Sequence, residues 1–335
     1  MKKILTAILV FALCLPFAAA IGEEAAAPTM EGISRVCIST MDLAASEAFY
    51  TEKIGLTKVA EGELDRQTCL ALYSMDCEAR YICLKNSVQS TLMQIIEFAE
   101  LPQKTSREGY NSWDYGYFDI SLRCADIDAV YDEMTGLGYD FICEPYQYTT
   151  TWSNAQVYEC VMFGPDDVPL AMINKTASTP AFEGMFRNFP DVVTVVDSMD
   201  TADKFYVDVM GMSKVFDMEM ENGLVDPIVG TAGTDITTRI AMYMGSGQTP
   251  VIEVLDFSAE GRFMTLEGAS VPGNAGMFAN AYLTDDLEGL LGAMAENGFE
   301  ACTQTVEMNL APYGNIRAAM VSGPNGTLVE LFEMA

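Results

Sequence analysis

The 335-residue chain contains no histidine. That removes the imidazole general base and every Ser/His/Asp or Cys/His nucleophile from the chemistry open to it. What remains is rich in carboxylates, with 48 Asp and Glu against 18 Lys and Arg and a net charge of −30. Carboxylates can serve as general bases or hold hard cations through oxygen. A surface this acidic repels phosphate backbones and anionic headgroups, which argues against nucleic-acid and membrane-surface partners. Two aromatic clusters, Tyr110, Trp113, Tyr115 and Tyr117, then Tyr146, Tyr148 and Trp152, suit either the wall of a small-molecule pocket or core packing. The glycines between Gly230 and Gly233 lack the Lys and the following helix of a phosphate loop.

Lys2-Lys3, an apolar run from Ile4 to Phe17 and Ala18-Ala19-Ala20 form the charged, apolar and small-residue pattern of a secretory signal. Residues 1–20 are therefore expected to be removed on export, with 21–30 a flexible leader and the mature protein periplasmic or secreted. No later stretch approaches 18 apolar residues, so no membrane contact is expected after cleavage. Eight of the nine cysteines follow the signal. Cys143 and Cys160 flank the polar stretch Gln147 to Asn154 as hairpin partners would; they suit either a cross-strand disulfide or buried thiols.

These residues are positioned by an internal repeat. Phe49-Tyr50 followed by Gly55-Leu56-Thr57-Lys58-Val59 returns as Phe205-Tyr206 followed by Gly211-Met212-Ser213-Lys214-Val215. A second pair of segments, Asp126 to Gly138 and Asp286 to Gly298, lies between and after these, and Gly164-Pro165-Asp166 is answered by Gly323-Pro324-Asn325. The order is A, B, A′, B′. Each unit begins with a short strand, continues into an acid-started helix closed by Gly55, Gly138, Gly211 or Gly298, and ends in three extended stretches. The expected unit is βαβββ.

The strand, the Asp-Leu that starts the helix, the Phe-Tyr, the Gly-Leu and the late Gly-Pro turn before Leu328-Val329-Glu330-Leu331 resemble the vicinal oxygen chelate superfamily. That superfamily includes glyoxalase I, bleomycin resistance proteins and extradiol dioxygenases. The resemblance implies an α+β fold, with paired βαβββ units forming curved, cleft-forming mixed sheets and two such modules in tandem: 31–176, a linker at 177–189, and 190–335. Adjacent units A and B would share one cleft, and A′ and B′ the other.

In that superfamily each unit can offer a metal ligand from its first strand and another from its last. The positions carried over place Arg35, Glu97, Asp119 and Ala171 in the first cleft. Arg cannot become a ligand, so Arg35 is expected either in a buried salt bridge with Glu97 and Asp119 or gripping an anionic ligand, with Trp113 and Tyr117 beside it. The second cleft would hold Asp191, Glu253, Ala279 and Glu330. Asp191, Glu253 and Glu330 form an oxygen-only set suited to Mn²⁺, Mg²⁺ or Ca²⁺. The leading expectation is small-molecule binding with the histidine metal site lost; the alternative is a divergent metal-dependent lyase, isomerase or dioxygenase. No catalytic residue is assigned.

Overall fold

The four repeats fold as four βαβββ units. In this computed structural model the described residues are 30–335, except 101, 103, 151–153, 176–181, 221–222, 235, 248–249, 259–263 and 267. The expected export signal, the leader up to residue 29, Trp152 and part of the linker lie outside the described residues. Unit A comprises β1 (Ile33–Ser39), α1 (Leu43–Ala48), β2 (Thr57–Leu64), α2 (Arg66–Tyr73), β3 (Ala79–Lys85) and β4 (Leu92–Phe98). Unit B comprises β5 (Gly116–Arg123), α3 (Ile127–Gly136), β6 (Tyr146–Thr149), β7 (Gln156–Phe163) and β8 (Pro169–Lys175). Unit A′ repeats A with β9 (Asp191–Val196), α4 (Met199–Asp203), β10 (Ser213–Glu219), α5 (Asp226–Val229), β11 (Thr237–Met244) and β12 (Val251–Ser258). Unit B′ repeats B with β13 (Gly276–Leu283), α6 (Leu287–Glu296), β14 (Val306–Leu310), β15 (Gly314–Ser322) and β16 (Leu328–Met334).

The repeated residues have local causes. Asp42, Asp126, Ser198 and Asp286 cap their helices by accepting the N–H of Ala45, Ala129, Thr201 and Gly289. Gly55, Gly138, Gly211 and Gly298 take φ of 82, 92, 68 and 85°, where a side chain would be strained. Each Phe-Tyr pair lies in a π-helical turn with both rings buried edge to face.

The strands form two eight-stranded sheets, and here the expected pairing is corrected. One sheet runs β14-β15-β16-β13-β1-β4-β3-β2 and the other β10-β11-β12-β9-β5-β8-β7-β6. Unit A therefore shares a sheet with B′, and B shares one with A′, through the antiparallel pairs β1 with β13 and β5 with β9. Neighbours along the chain meet instead through their helix-bearing faces: Phe49 packs on Tyr139 at 5.0 Å between centroids, and Phe205 on Phe299 at 4.8 Å. One core joins all four units on these faces, including Val36, Leu122, Val192 and Leu331. The opposite, inner faces carry a core of their own in each sheet, around Phe98 and Phe332 in one and Phe118 and Leu255 in the other.

All eight described cysteines are free, so Cys143 and Cys160 are not bonded and Cys160 serves as a small buried apolar residue. Among the described residues no helix is long and apolar enough to cross a membrane.

Candidate functional site on the inner face of the B–A′ sheet

The changed pairing redistributes the candidate residues. In the A–B′ sheet Arg35 on β1 and Glu330 on β16 form an ion pair with both side chains fully buried. The guanidinium lies over the Phe332 ring at 4.5 Å and the Tyr313 ring at 5.3 Å, and the Tyr73 hydroxyl donates to Glu330 Oε2 at 3.4 Å. Burial works against the Arg35 charge, but Glu330, with Cys37, Tyr313 and Tyr73, outweighs it and holds the pKa above the usual arginine value. Arg35 thus has neither Glu97 nor Asp119 as its partner. Its counter-ion is one of the three acids expected to form a metal set, so Glu330 is separated from Asp191 and Glu253.

Glu97 is displaced by register. Cys37 on β1 stands opposite Gln94, whereas Val193, its repeat equivalent on β9, stands opposite Glu253. Gln94, three residues before Glu97, is therefore the counterpart of Glu253. Because strand side chains alternate, that odd shift turns Glu97 to the helix-bearing face. There its Oε2 accepts the Leu43 N–H at 2.8 Å at the start of α1, and Arg80 pairs with its other oxygen. Glu333 receives the Leu287 N–H in the same way at 2.9 Å. Glu97→Ala should therefore behave as loss of a helix cap, costing about 1 kcal/mol in denaturant unfolding with no change in ligand binding on the other sheet.

The B–A′ sheet gathers the remaining acids. Asp119 on β5, Asp191 on β9 and Glu253 on β12 line one cavity of about 70 Å³ together with Glu159 from β7. Ser121, Tyr148, Thr150 and Lys175 complete its polar side. The rest is hydrocarbon, supplied by Phe118, Val193, Phe216, Met220, Ile228, Ile240, Met242 and Leu255 among others. A bulge between Tyr117 and Ile120 in β5 lets the adjacent residues Phe118 and Asp119 both reach this face, and Ser121 follows Asp119 by alternation. The Tyr148 hydroxyl donates to Glu159 Oε2 at 2.8 Å, while Asp119 Oδ1 is buried with no hydrogen-bond partner.

Proximity and burial shift these acids together. Burial, then repulsion from Asp191 and Glu159, raises Asp119 well above the aspartate range, against opposition from Arg107 and the Ser121 hydroxyl. Burial followed by Asp191, Glu159 and Asp119 does the same to Glu253. Glu159 is pushed up to about 7 by burial, although Tyr148, Lys175 and Arg123 favour its ionised form. Asp191 is raised by burial and opposed by Ser121, Lys175 and Arg123. Near neutral pH the cluster holds protons that isolated acids would have lost, so it can both donate and accept hydrogen bonds.

Of the other expected ligand residues, Tyr117 ties the two sheets together, donating to the Leu328 carbonyl at 2.7 Å and accepting the Asn280 N–H at 3.1 Å. Trp113 packs against the core of the B–A′ sheet. Neither forms the cavity wall. Glu159 and Lys175 are not among the residues expected from the sequence. The alternation of Val157, Glu159 and Val161 on one face of β7 is the signal that reveals Glu159.

The A–B′ position holds a guanidinium, and among the described residues no three His, Cys, Asp or Glu side chains are grouped to hold an ion.

No protein-family profile and no curated protein matches the chain. Among solved structures it is similar to glyoxalase I from Zea mays, with a TM-score of 0.61 at 16% identity, over 90% of this chain and 92% of that one. It is also similar to a dioxygenase-like protein from Bacillus subtilis subsp. subtilis str. 168, with a TM-score of 0.56 at 14% identity, over 92% of this chain and 86% of that one. At these identities the likeness is one of fold.

Proposed function

We propose that this chain, which has the fold of the vicinal oxygen chelate superfamily, is an exported protein that binds a small organic molecule on the inner face of the B–A′ sheet without the histidine-held metal of that superfamily. The observation supporting this reading is an asymmetry. Four acids and a hydrocarbon wall surround a cavity on one sheet, whereas the corresponding first-strand position of the other is taken by the Arg35–Glu330 pair and two aromatic rings. A half-apolar cavity with convergent polar groups is the usual form of a small-molecule site.

The test is a thermal-shift screen of small organic compounds, with elemental analysis of the purified protein alongside it. A true ligand raises the melting temperature with concentration. It should lose that effect in Val193→Phe, which fills the cavity from its apolar side. A stoichiometric divalent metal that disappears in Glu253→Gln would instead favour a carboxylate-held metal enzyme and sink the proposal.

A further inference from the structure

Taking the B–A′ cavity as the binding site, we infer that its ligand is a small organic cation, a primary alkylammonium of a few carbons, held by Asp119, Asp191, Glu253 and Glu159. The cavity wall itself carries these four carboxylates and one base, Lys175. Arg107 and Arg123 are outside that wall and favour the ionised forms of Asp119 and Asp191 respectively. The Arg107 guanidinium is engaged with the Tyr117 and Asn111 carbonyls and lies over the Phe118 ring at 5.4 Å. Neither arginine lines the wall, so four carboxylates face one cationic side chain there and acceptors predominate. Asp119 Oδ1 is buried and has no donor at all, which is a costly state for a carboxyl oxygen unless something arrives to satisfy it.

An ammonium group brings three N–H donors and a positive charge in one compact head. Its alkyl tail then needs hydrocarbon, which Val193, Phe216, Ile240 and Leu255 supply on the opposite wall. A hard divalent ion needs its oxygen ligands converging on one point, and among the described residues no three acids are grouped in that way. An organic anion would meet four acids. Size narrows the class further, because a cavity of roughly 150 Å³ accommodates benzene and this one encloses about 70 Å³.

The experiment compares propylammonium, propionate and propanol by thermal shift and calorimetry on the full chain, with Mn²⁺ and Ca²⁺ as competitors. Propylammonium should raise the melting temperature with concentration, and Asp119→Asn and Glu253→Gln should each weaken its binding tenfold or more. Neutral replacements that relieve repulsion leave the fold intact, which circular dichroism checks, and Glu97→Gln serves as an acid removed from the other sheet. If propionate or propanol binds as well as propylammonium and is excluded by Val193→Phe, the cavity is a site but the cation class is wrong. Tight metal binding lost in Asp119→Asn also overturns the inference. If none of the probes binds, the inference fails, and the compound screen decides separately whether the cavity is a site for anything else.

Discussion

Replacing Arg35 with methionine should destabilise the protein by about 3–5 kcal/mol, the usual penalty for removing one partner of a fully buried ion pair. The reason lies in what is left behind. Glu330 sits on β16 with no exposed surface, next to Phe332, Tyr313 and Tyr73. The Tyr73 hydroxyl at 3.4 Å is a weak substitute for a guanidinium. The double replacement Arg35→Met/Glu330→Leu removes both charges from the same low-dielectric face and should recover most or all of the loss, since a hydrophobic pair of similar volume often matches a buried salt bridge. Urea unfolding of the parent and the two variants measures this directly. A single variant within 1 kcal/mol of the parent would show that Glu330 finds other compensation, and a double variant as damaged as the single would show that shape rather than charge holds the face together. Neither variant should alter binding on the B–A′ sheet.

The same pair shows where the sequence was readable and where it was not. The βαβββ unit could be read because its signals are local: an acid or serine that caps the helix, a glycine at positive φ that ends it, and a repeated Phe-Tyr that fixes the phase. Which units share a sheet is not a local property. The three connections between units, residues 99–115, 176–190 and 259–275, are of similar length and so favour neither arrangement, and each first strand has the same kind of edge to offer. Arg35 forms a buried ion pair, but with Glu330 from the far end of the chain rather than with the expected Glu97 and Asp119. Glu97 failed for a different reason: matching Ile95-Ile96-Glu97 to Val251-Ile252-Glu253 by hydrophobic pattern misses the register, which only the partner strand defines. In a strand, such an odd shift moves a side chain from one face to the other. Asp119, Asp191 and Glu253 did come together, in one cavity rather than two.

That convergence sets the pH dependence of stability. Each of these acids has its folded pKa raised, so the folded state holds a proton that the unfolded chain releases near pH 4 to 4.5. Stability from such a group is fully present below the unfolded value and declines as pH rises toward the folded one. For Glu159 the decline spans pH 4.5 to about 7, and for Asp119 and Glu253, raised well above their ordinary values, it begins in the same acidic range. One group that stays protonated only in the folded state costs roughly 1.4 kcal/mol per pH unit, so raising the pH from 5 to 7 should lower stability by roughly 3 kcal/mol for each independent proton retained. The trend runs opposite to acid denaturation of salt-bridged carboxylates. The triple replacement Asp119→Asn/Glu159→Gln/Glu253→Gln should flatten the profile, because amides fill nearly the same space without a proton to lose. The general repulsion of a chain at −30 persists in both proteins and cancels in the comparison. Urea midpoints across this range test the point: a parent that grows more stable with rising pH, or a triple variant with an unchanged slope, would mean that these acids are ionised and paired rather than sharing protons. An added alkylammonium should itself flatten the parent's slope, since a bound cation lets the acids ionise without the penalty that burial otherwise imposes.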